Sequence, residues 1–519
     1  MHPSRFATRL LPALLLALLA LPPALSAQPA PQPQAAGAPA TGAPAGEKSG
    51  REAGVLGLLP PDSVTRHEIV VDGRRLAYTA TAGTLALRDQ RGERLAAVYY
   101  TAYTLADAGD DAGAGAARPL TFVFNGGPGA ASAYLHLGLV GPRVAAFGTP
   151  PAAATAELQA NPDSWLAFTD LVLIDPVGTG WSRAADPDKS TDFWSVGRDA
   201  EALAKVIALY VADSGRTASP KYLLGESYGG FRAVKVARAL QQDQGLVAAG
   251  IVMVSPFLDG ALTFRATRSA LSAALLLPSI AATELDRDGR FTSEALSEAE
   301  RFAMTDYLVT LAGPPPEGPA AEAFYARVAE LTGLPQDGVT RARGFVARAY
   351  LGRKQGEPSQ IASPYDGTFT LPDPFPESDD GRADDPILDG YLQSLGGLFV
   401  GYAREDLGYA TDITYHLLNR EVSGRWDWDG GRGYVSASDD LRELLALNPG
   451  FRLLIAHGRS DLVTPYGVSR YVLDHLPEAI GDGRASLELY KGGHMFYFDA
   501  ATRAAFTDEA EAFYRGAAP

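Results

Sequence analysis

The run Gly225-Glu226-Ser227-Tyr228-Gly229-Gly230 sets a serine among small residues, behind the apolar triplet Tyr222–Leu224 and ahead of the helical pattern Tyr228–Leu240. A serine on a sharp strand-to-helix turn projects its hydroxyl above a sheet edge. The amides that open the following helix then face any oxyanion formed there. A bare G-x-S-x-G recurs by chance, and its plain reading is a glycine-rich turn. The strand before it and the helix after it favour a nucleophile. A hydroxyl is weakly nucleophilic at neutral pH and needs a base. Downstream lie His416, His457, His475 and His494. His416 and His475 sit within helical patterns and read as core or surface residues. His494 follows a strand, in Lys491-Gly492-Gly493-His494-Met495, where glycines suit a loop leaning over the sheet edge; its plain reading is a loop histidine without a role.

The acid that orients such a base should follow a strand shortly before it. Asp461 does so, after the run Phe451–Ala456, where it can accept the imidazole N–H and fix its tautomer. His457, at the head of the same turn, reads as a local packing residue. The chemistry implied is acyl transfer, with Ser227 as nucleophile, His494 as general base and Asp461 as orienting acid. An oxyanion hole needs a second amide besides that of Tyr228. The loop Asn125-Gly126-Gly127-Pro128-Gly129, directly after the run Pro119–Phe124, offers Gly127, although glycine and proline also make ordinary turns. No histidine, cysteine and carboxylate spacing suits zinc, and no glycine-rich phosphate loop follows a strand, so no metal and no cofactor is expected.

The order Ser, Asp, His is that of the α/β-hydrolase fold, and the surrounding elements agree with it. Asp170–Ile174, Gly250–Val254 and Ser486–Tyr490 read as further strands, and Ser195–Asp213 and Asp499–Tyr514 as helices. Alternating strands and helices predict a mostly parallel sheet covered on both faces. Ahead of them, His67–Val71, Arg75–Thr81, Thr84–Arg88 and Leu95–Leu105 read as antiparallel edge strands. Residues 261–445 break the alternation. Helical patterns at Ser293–Leu311, Ala320–Thr332 and Ile387–Leu418 predict an inserted helical cap, between catalytic segments 63–260 and 446–519.

The first 27 residues combine Arg5 and Arg9 with a short, proline-broken apolar run, Leu10–Leu25, and small residues at Ser26 and Ala27. That is the pattern of a cleaved secretory signal rather than a spanning helix, and it predicts an exported, periplasmic or secreted chain without membrane insertion. Residues 28–62, rich in alanine and proline at their start, read as a disordered linker. There is no cysteine, so neither disulfides nor an acylated cysteine anchor can form. The net charge of −16 argues against nucleic-acid binding.

Four ordered blocks together resemble the serine carboxypeptidase family. They are Asn125–Gly129, Asn161-Pro162-Asp163-Ser164-Trp165, Asp175-Pro176-Val177-Gly178-Thr179-Gly180-Trp181-Ser182 and Gly225–Gly230, with Asp461 and Gly493-His494-Met495 completing the set. The resemblance runs from about Pro119 to the C-terminus, with the cap least recognisable. It implies hydrolysis of the C-terminal peptide bond of a peptide substrate through an acyl-enzyme. It also implies that Asn125 and Glu226 bind the substrate carboxylate, Glu226 being protonated to donate. Two positions depart from the family pattern: Leu139 stands where eukaryotic members carry a second glutamate, and Ala130 where they carry a cysteine. Arg143, just after Gly141-Pro142, is a candidate bidentate replacement for the missing glutamate; the alternative is a plain surface arginine. An esterase or acyltransferase on the same fold, and more remotely a non-catalytic binding protein, are the competing readings.

Overall fold

The computed structural model describes residues 54–106, 118–148, 151–352, 358–378 and 384–516. The expected signal segment lies outside the described residues, as does the expected linker as far as residue 53. The last part of that linker departs from expectation. Val55–Leu58 form a 3-10 turn that buries Leu56, and the Asp62 carboxylate accepts from the Thr84 amide at 3.0 Å.

Fourteen strands occur among the described residues, numbered in chain order. They are β1 Ser63–Val71, β2 Arg74–Arg88, β3 Arg94–Leu105, β4 Leu120–Phe124, β5 Arg143–Ala146, β6 Glu157–Ala160, β7 Asp170–Ile174, β8 Arg183–Ala184, β9 Lys221–Glu226, β10 Ala248–Val254, β11 Gln360–Ala362, β12 Thr370–Pro372, β13 Arg452–Gly458 and β14 Ala485–Tyr490. Ten make one sheet, in the order β1-β2-β3-β7-β4-β9-β10-β13-β14, with β8 paired to β3. The pairs from β1 to β7 are antiparallel and those from β7 to β14 parallel. β1 alternates buried and exposed positions at its end, as an edge strand does, whereas β4, β7 and β9 are buried at every residue, as strands covered on both faces must be. The architecture is the mostly parallel, helix-covered sheet of an α/β-hydrolase.

Each strand sends alternate side chains to opposite faces. Leu223, Ile251 and Leu453 pack with the helices Val196–Asp213 and Tyr228–Asp243 in one core, while Leu224, Val252 and Leu454 pack with Trp165, Phe399 and Phe506 in another. The first helix opens on Ser195, whose hydroxyl accepts from the Arg198 amide at 3.3 Å.

Two expected elements differ in ways the packing explains. The breaks read on either side of Gly83 are absent, and β2 runs through. Gly83 is there because a Cβ would meet the Asp62 carboxylate at 2.1 Å. The long helical pattern Ile387–Leu418 ends as a helix at Glu405. Gly408, at φ +66°, turns the chain. The chain then returns extended, and His416 exchanges backbone hydrogen bonds with Gly180, so His416 is not helical. His475 lies just past the end of helix Tyr466–Asp474.

Residues 255–451 join β10 to β13. Within them, residues from Ala266 to Tyr350 share a third core with Leu462, built around Leu277, Ile280, Tyr307, Phe324 and Val328. Later residues pack elsewhere: Leu392 and Phe399 join one face of the sheet, and Val422, Trp426, Leu441 and Leu445 the other.

Candidate active site

The chain turns at Ser227 with φ 59° and ψ −126°, a left-handed conformation rare for serine that costs roughly 1–3 kcal/mol. Its surroundings hold it there. The Ser227 amide donates to Val254 O at 2.9 Å, and Ser227 O accepts from the amides of Gly230 and Phe257, each at 3.0 Å. The flanking glycines are required by close approach. A Cβ on Gly225 would lie 2.0 Å from Gly229 O, and one on Gly229 would lie 2.5 Å from Phe124 O. Strand, turn and helix therefore interlock only without side chains at those positions. Beneath the turn, buried Arg232 donates through Nε to Asp199 Oδ2 at 2.6 Å and through Nη1 to Asn125 O, tying the helix to the Gly126-Gly127 loop.

His494 and Asp461 reach the same place from the ends of β14 and β13. His494 Nδ1 is 2.7 Å from Asp461 Oδ2. The other carboxylate oxygen accepts from the Val463 amide at 2.8 Å and the Thr464 amide at 3.1 Å. Thr464 Oγ1 lies 2.8 Å from Asp461 Oδ2, 2.9 Å from Ser255 O and 3.1 Å from His494 Nδ1. With Nδ1 engaged, Nε2 is the ring nitrogen left for the cavity that His494 shares with Ser227. Burial opposes a charged imidazolium, but Asp461, and Glu226 beyond it, raise the His494 pKa above its ordinary value. His457 is buried, its Nε2 2.7 Å from Ser469 Oγ, and burial pushes it down to about 3.

Gly127 and Tyr228 line the same cavity. Tyr228 is the first residue of its helix, so its amide has no acceptor within the helix. A Cβ on Gly126 would lie 2.5 Å from that amide nitrogen, so the glycine loop runs directly against it.

Glu226 is buried next to the serine. Its Oε2 accepts from the Tyr497 hydroxyl at 2.8 Å and from Asn125 Nδ2, and Asn125 Oδ1 in turn accepts from the Leu135 amide at 3.1 Å. Desolvation raises its pKa from 4.5 to about 7, against the lowering effects of His494, Tyr497 and Asn125. Asn125 and Glu226 thus meet as the sequence suggests. Arg143 does not join them. It begins β5, is partly exposed, reaches Asp406 at 3.5 Å, and does not line the cavity. Leu139 is fully buried in apolar surroundings, where a charged replacement partner would be costly.

The cavity has a volume of about 260 Å³. Several of its residues were not singled out from sequence: Tyr134, Thr464, Trp428, Arg420 and Arg432, together with Tyr497 behind Glu226. Their only sequence signal is proximity to a motif, as with Tyr497 three places after His494. Among the described residues no group of three or more His, Cys, Asp or Glu could hold a metal ion, and no helix is long and apolar enough to cross a membrane.

Comparison with known proteins agrees with this arrangement. The family profile of serine carboxypeptidases matches residues 87–259, the span that carries the glycine loop and the serine turn. No curated protein sequence matches the chain. Among solved structures, the prohormone-processing carboxypeptidase Kex1(delta)p from Saccharomyces cerevisiae superposes with a TM-score of 0.53 at 15% identity, over 84% of this chain and 91% of that one. A thermophilic esterase from Thermogutta terrifontis is similar at a TM-score of 0.34 and 14% identity, over 88% of this chain and 100% of its own. At 15% identity the Kex1(delta)p superposition speaks to the fold, an α/β-hydrolase, and the family match places residues 87–259, with the Ser227 turn, in a segment of serine carboxypeptidase type.

Proposed function

We propose that the enzyme removes the C-terminal residue of peptides that end in a free carboxylate, through an acyl-enzyme on Ser227. His494 Nε2 takes the Ser227 proton as Oγ attacks the last peptide carbonyl, and the Gly127 and Tyr228 amides bind the oxyanion. Asp461 holds the ring and stabilises the imidazolium. His494 then gives its proton to the departing amine, and water, activated by the same base, releases the acyl group.

The observation that carries the peptide reading is Glu226. A carboxyl that is neutral below about pH 7 can donate a hydrogen bond to a substrate carboxylate, which an ionised one would repel. Tyr497 and Asn125 converge on Oε2, leaving Oε1 for the substrate. The buried Leu139 favours a second reading, an esterase or acyltransferase whose leaving group bears no carboxylate, because it leaves the clamp with one carboxyl. Exported location, read from residues 1–27, belongs to the same proposal and is tested by the N-terminus of the mature protein.

The deciding experiment is amino-acid release from short peptides with free, amidated and esterified ends, by wild type and Ser227→Ala. Release of the last residue from free ends alone, lost in the variant, supports the carboxypeptidase. Labelling by a fluorophosphonate with hydrolysis of esters only would move the assignment to the esterase.

A further inference from the structure

The cavity straddles the edge of the sheet, and its two walls come from opposite faces. Glu226 follows Leu224 by two residues in β9 and shares its face, the core that also holds Tyr134. Tyr228 belongs to the other core, with Phe257, and its ring packs on Trp428 with centroids 5.4 Å apart. Ser227 sits between the walls. If the leaving residue's carboxylate meets Glu226, the residue that stays on the serine faces the Phe257–Trp428 wall.

That wall carries a guanidinium. Arg432 stacks over Phe264 at 3.8 Å and over Trp428 at 5.5 Å from the ring centroids. Phe264 is itself stacked on Phe257 at 5.2 Å. The loop that bears Arg432 is fixed at both ends: the Asp427 amide donates to Trp194 O at 2.9 Å, and the Ala437 amide to Leu258 O at 2.9 Å. Two arginines line the cavity, and they differ in one respect. Arg420 is ion-paired with Asp389, whereas no carboxylate among the described residues lies within ion-pair distance of Arg432. Glu226 is the one acidic residue in the lining, on the far wall. A guanidinium seated over one ring and beside a second is restricted in its position, and its planar set of N–H donors suits a carboxylate.

We propose that Arg432 sets the substrate preference, and that the enzyme favours peptides whose penultimate residue is acidic, glutamate above all, its carboxylate taken by the Arg432 guanidinium. The aromatic wall beneath accommodates the side chain's methylenes. This rests on the carboxypeptidase reading, which orients the peptide.

The test measures kcat/KM on N-blocked dipeptides ending in alanine, with Glu, Gln, Leu or Lys before it. Wild type should prefer Glu to its neutral isostere Gln by about tenfold, the range of a charge-assisted pair. Arg432→Gln should lower the Glu-to-Leu ratio at least tenfold. Arg432→Lys should keep part of it, and Arg432→Glu should favour Lys. A Glu-to-Leu ratio unchanged in Arg432→Gln overturns the inference, as does an equal fall on every dipeptide, which would make Arg432 an anchor for the terminal carboxylate. If wild type releases alanine from none of them, the carboxypeptidase reading falls and this inference with it. Release that depends on Ser227 but ignores the penultimate side chain sinks the inference alone.

Discussion

The Tyr497 phenol donates to Glu226 Oε2 at 2.8 Å, across 271 residues of sequence. Each side chain buries the polar end of the other beside the nucleophile, and both are driven toward their neutral forms, chiefly by desolvation. The proposed reaction on a free carboxylate calls for both Glu226 and His494 to be neutral, yet the charge of either favours ionisation of the other.

Replacing Glu226 by glutamine should therefore separate the two titrations. In wild type, Glu226 loses its proton as pH rises through about 7, so KM for free-carboxylate peptides should climb above that value. In Glu226→Gln it should stay level from about pH 5.5 to 8.5, since an amide donates throughout. His494 must be neutral to act, so kcat should fall on the acid side in both proteins, with little difference between them because Glu226 is already neutral in the complex. Steady-state profiles of both proteins on one peptide check this, and a KM rise of equal size in the variant would refute it.

The same variant predicts a stability difference. Between its ordinary 4.5 and about 7, Glu226 holds a proton in the native state that the unfolded chain has released, so rising pH through that window destabilises the wild type. The slope is about 1.4 kcal/mol per pH unit for one proton. Glu226→Gln lacks it. The Tm of the variant relative to wild type should increase from pH 5 to pH 8, by the equivalent of about 2 kcal/mol. A relative Tm that does not move with pH would count against a neutral native Glu226.

Thr464→Val keeps the shape of the side chain and removes the hydroxyl beside Asp461. Asp461 then concentrates more negative charge on His494, and the acid limb of kcat should move to higher pH. We expect kcat to fall about tenfold with little change in KM, and stability to fall by about 1–3 kcal/mol because Ser255 O loses its donor. Calorimetry and a pH series on the purified variant give both readouts.

Arg143→Ala should leave kcat/KM on free-carboxylate peptides within about twofold of wild type, and stability within about 0.5 kcal/mol, since its partner is a half-exposed Asp406 and not the substrate. A tenfold rise in KM would restore Arg143 to the site.

The elements that position the chemistry were legible because their signals are local. The buried run of β7, the serine turn and the helix after it can be read from spacing alone, and so can the order of Ser227, Asp461 and His494. The sequence leaves Arg143 open between anchor and surface for a physical reason: a four-residue strand points its side chain by register, and register depends on its partner Glu157–Ala160, which no motif marks. Arg432 and Trp428 were missed because their loop is placed by backbone pairing to Trp194 and Leu258, far away in sequence. Tyr497 carries no signal of its own in the sequence, because only the fold turns its hydroxyl toward the Glu226 carboxylate.

The insertion between β10 and β13 also bears on biosynthesis. The nucleophile turn is complete, with its Val254 and Phe257 contacts, before residue 260 has been made. Asp461 and His494, the proposed acid and base, arrive only with β13 and β14, and β13 must close onto β10 across residues 255–451, a distant and therefore late pairing. A nascent chain or a truncated product that ends before β13 holds the serine without its base. On the proposed assignment the polypeptide gains its base only after β13 and β14 have been made, so the order of synthesis itself delays the activity.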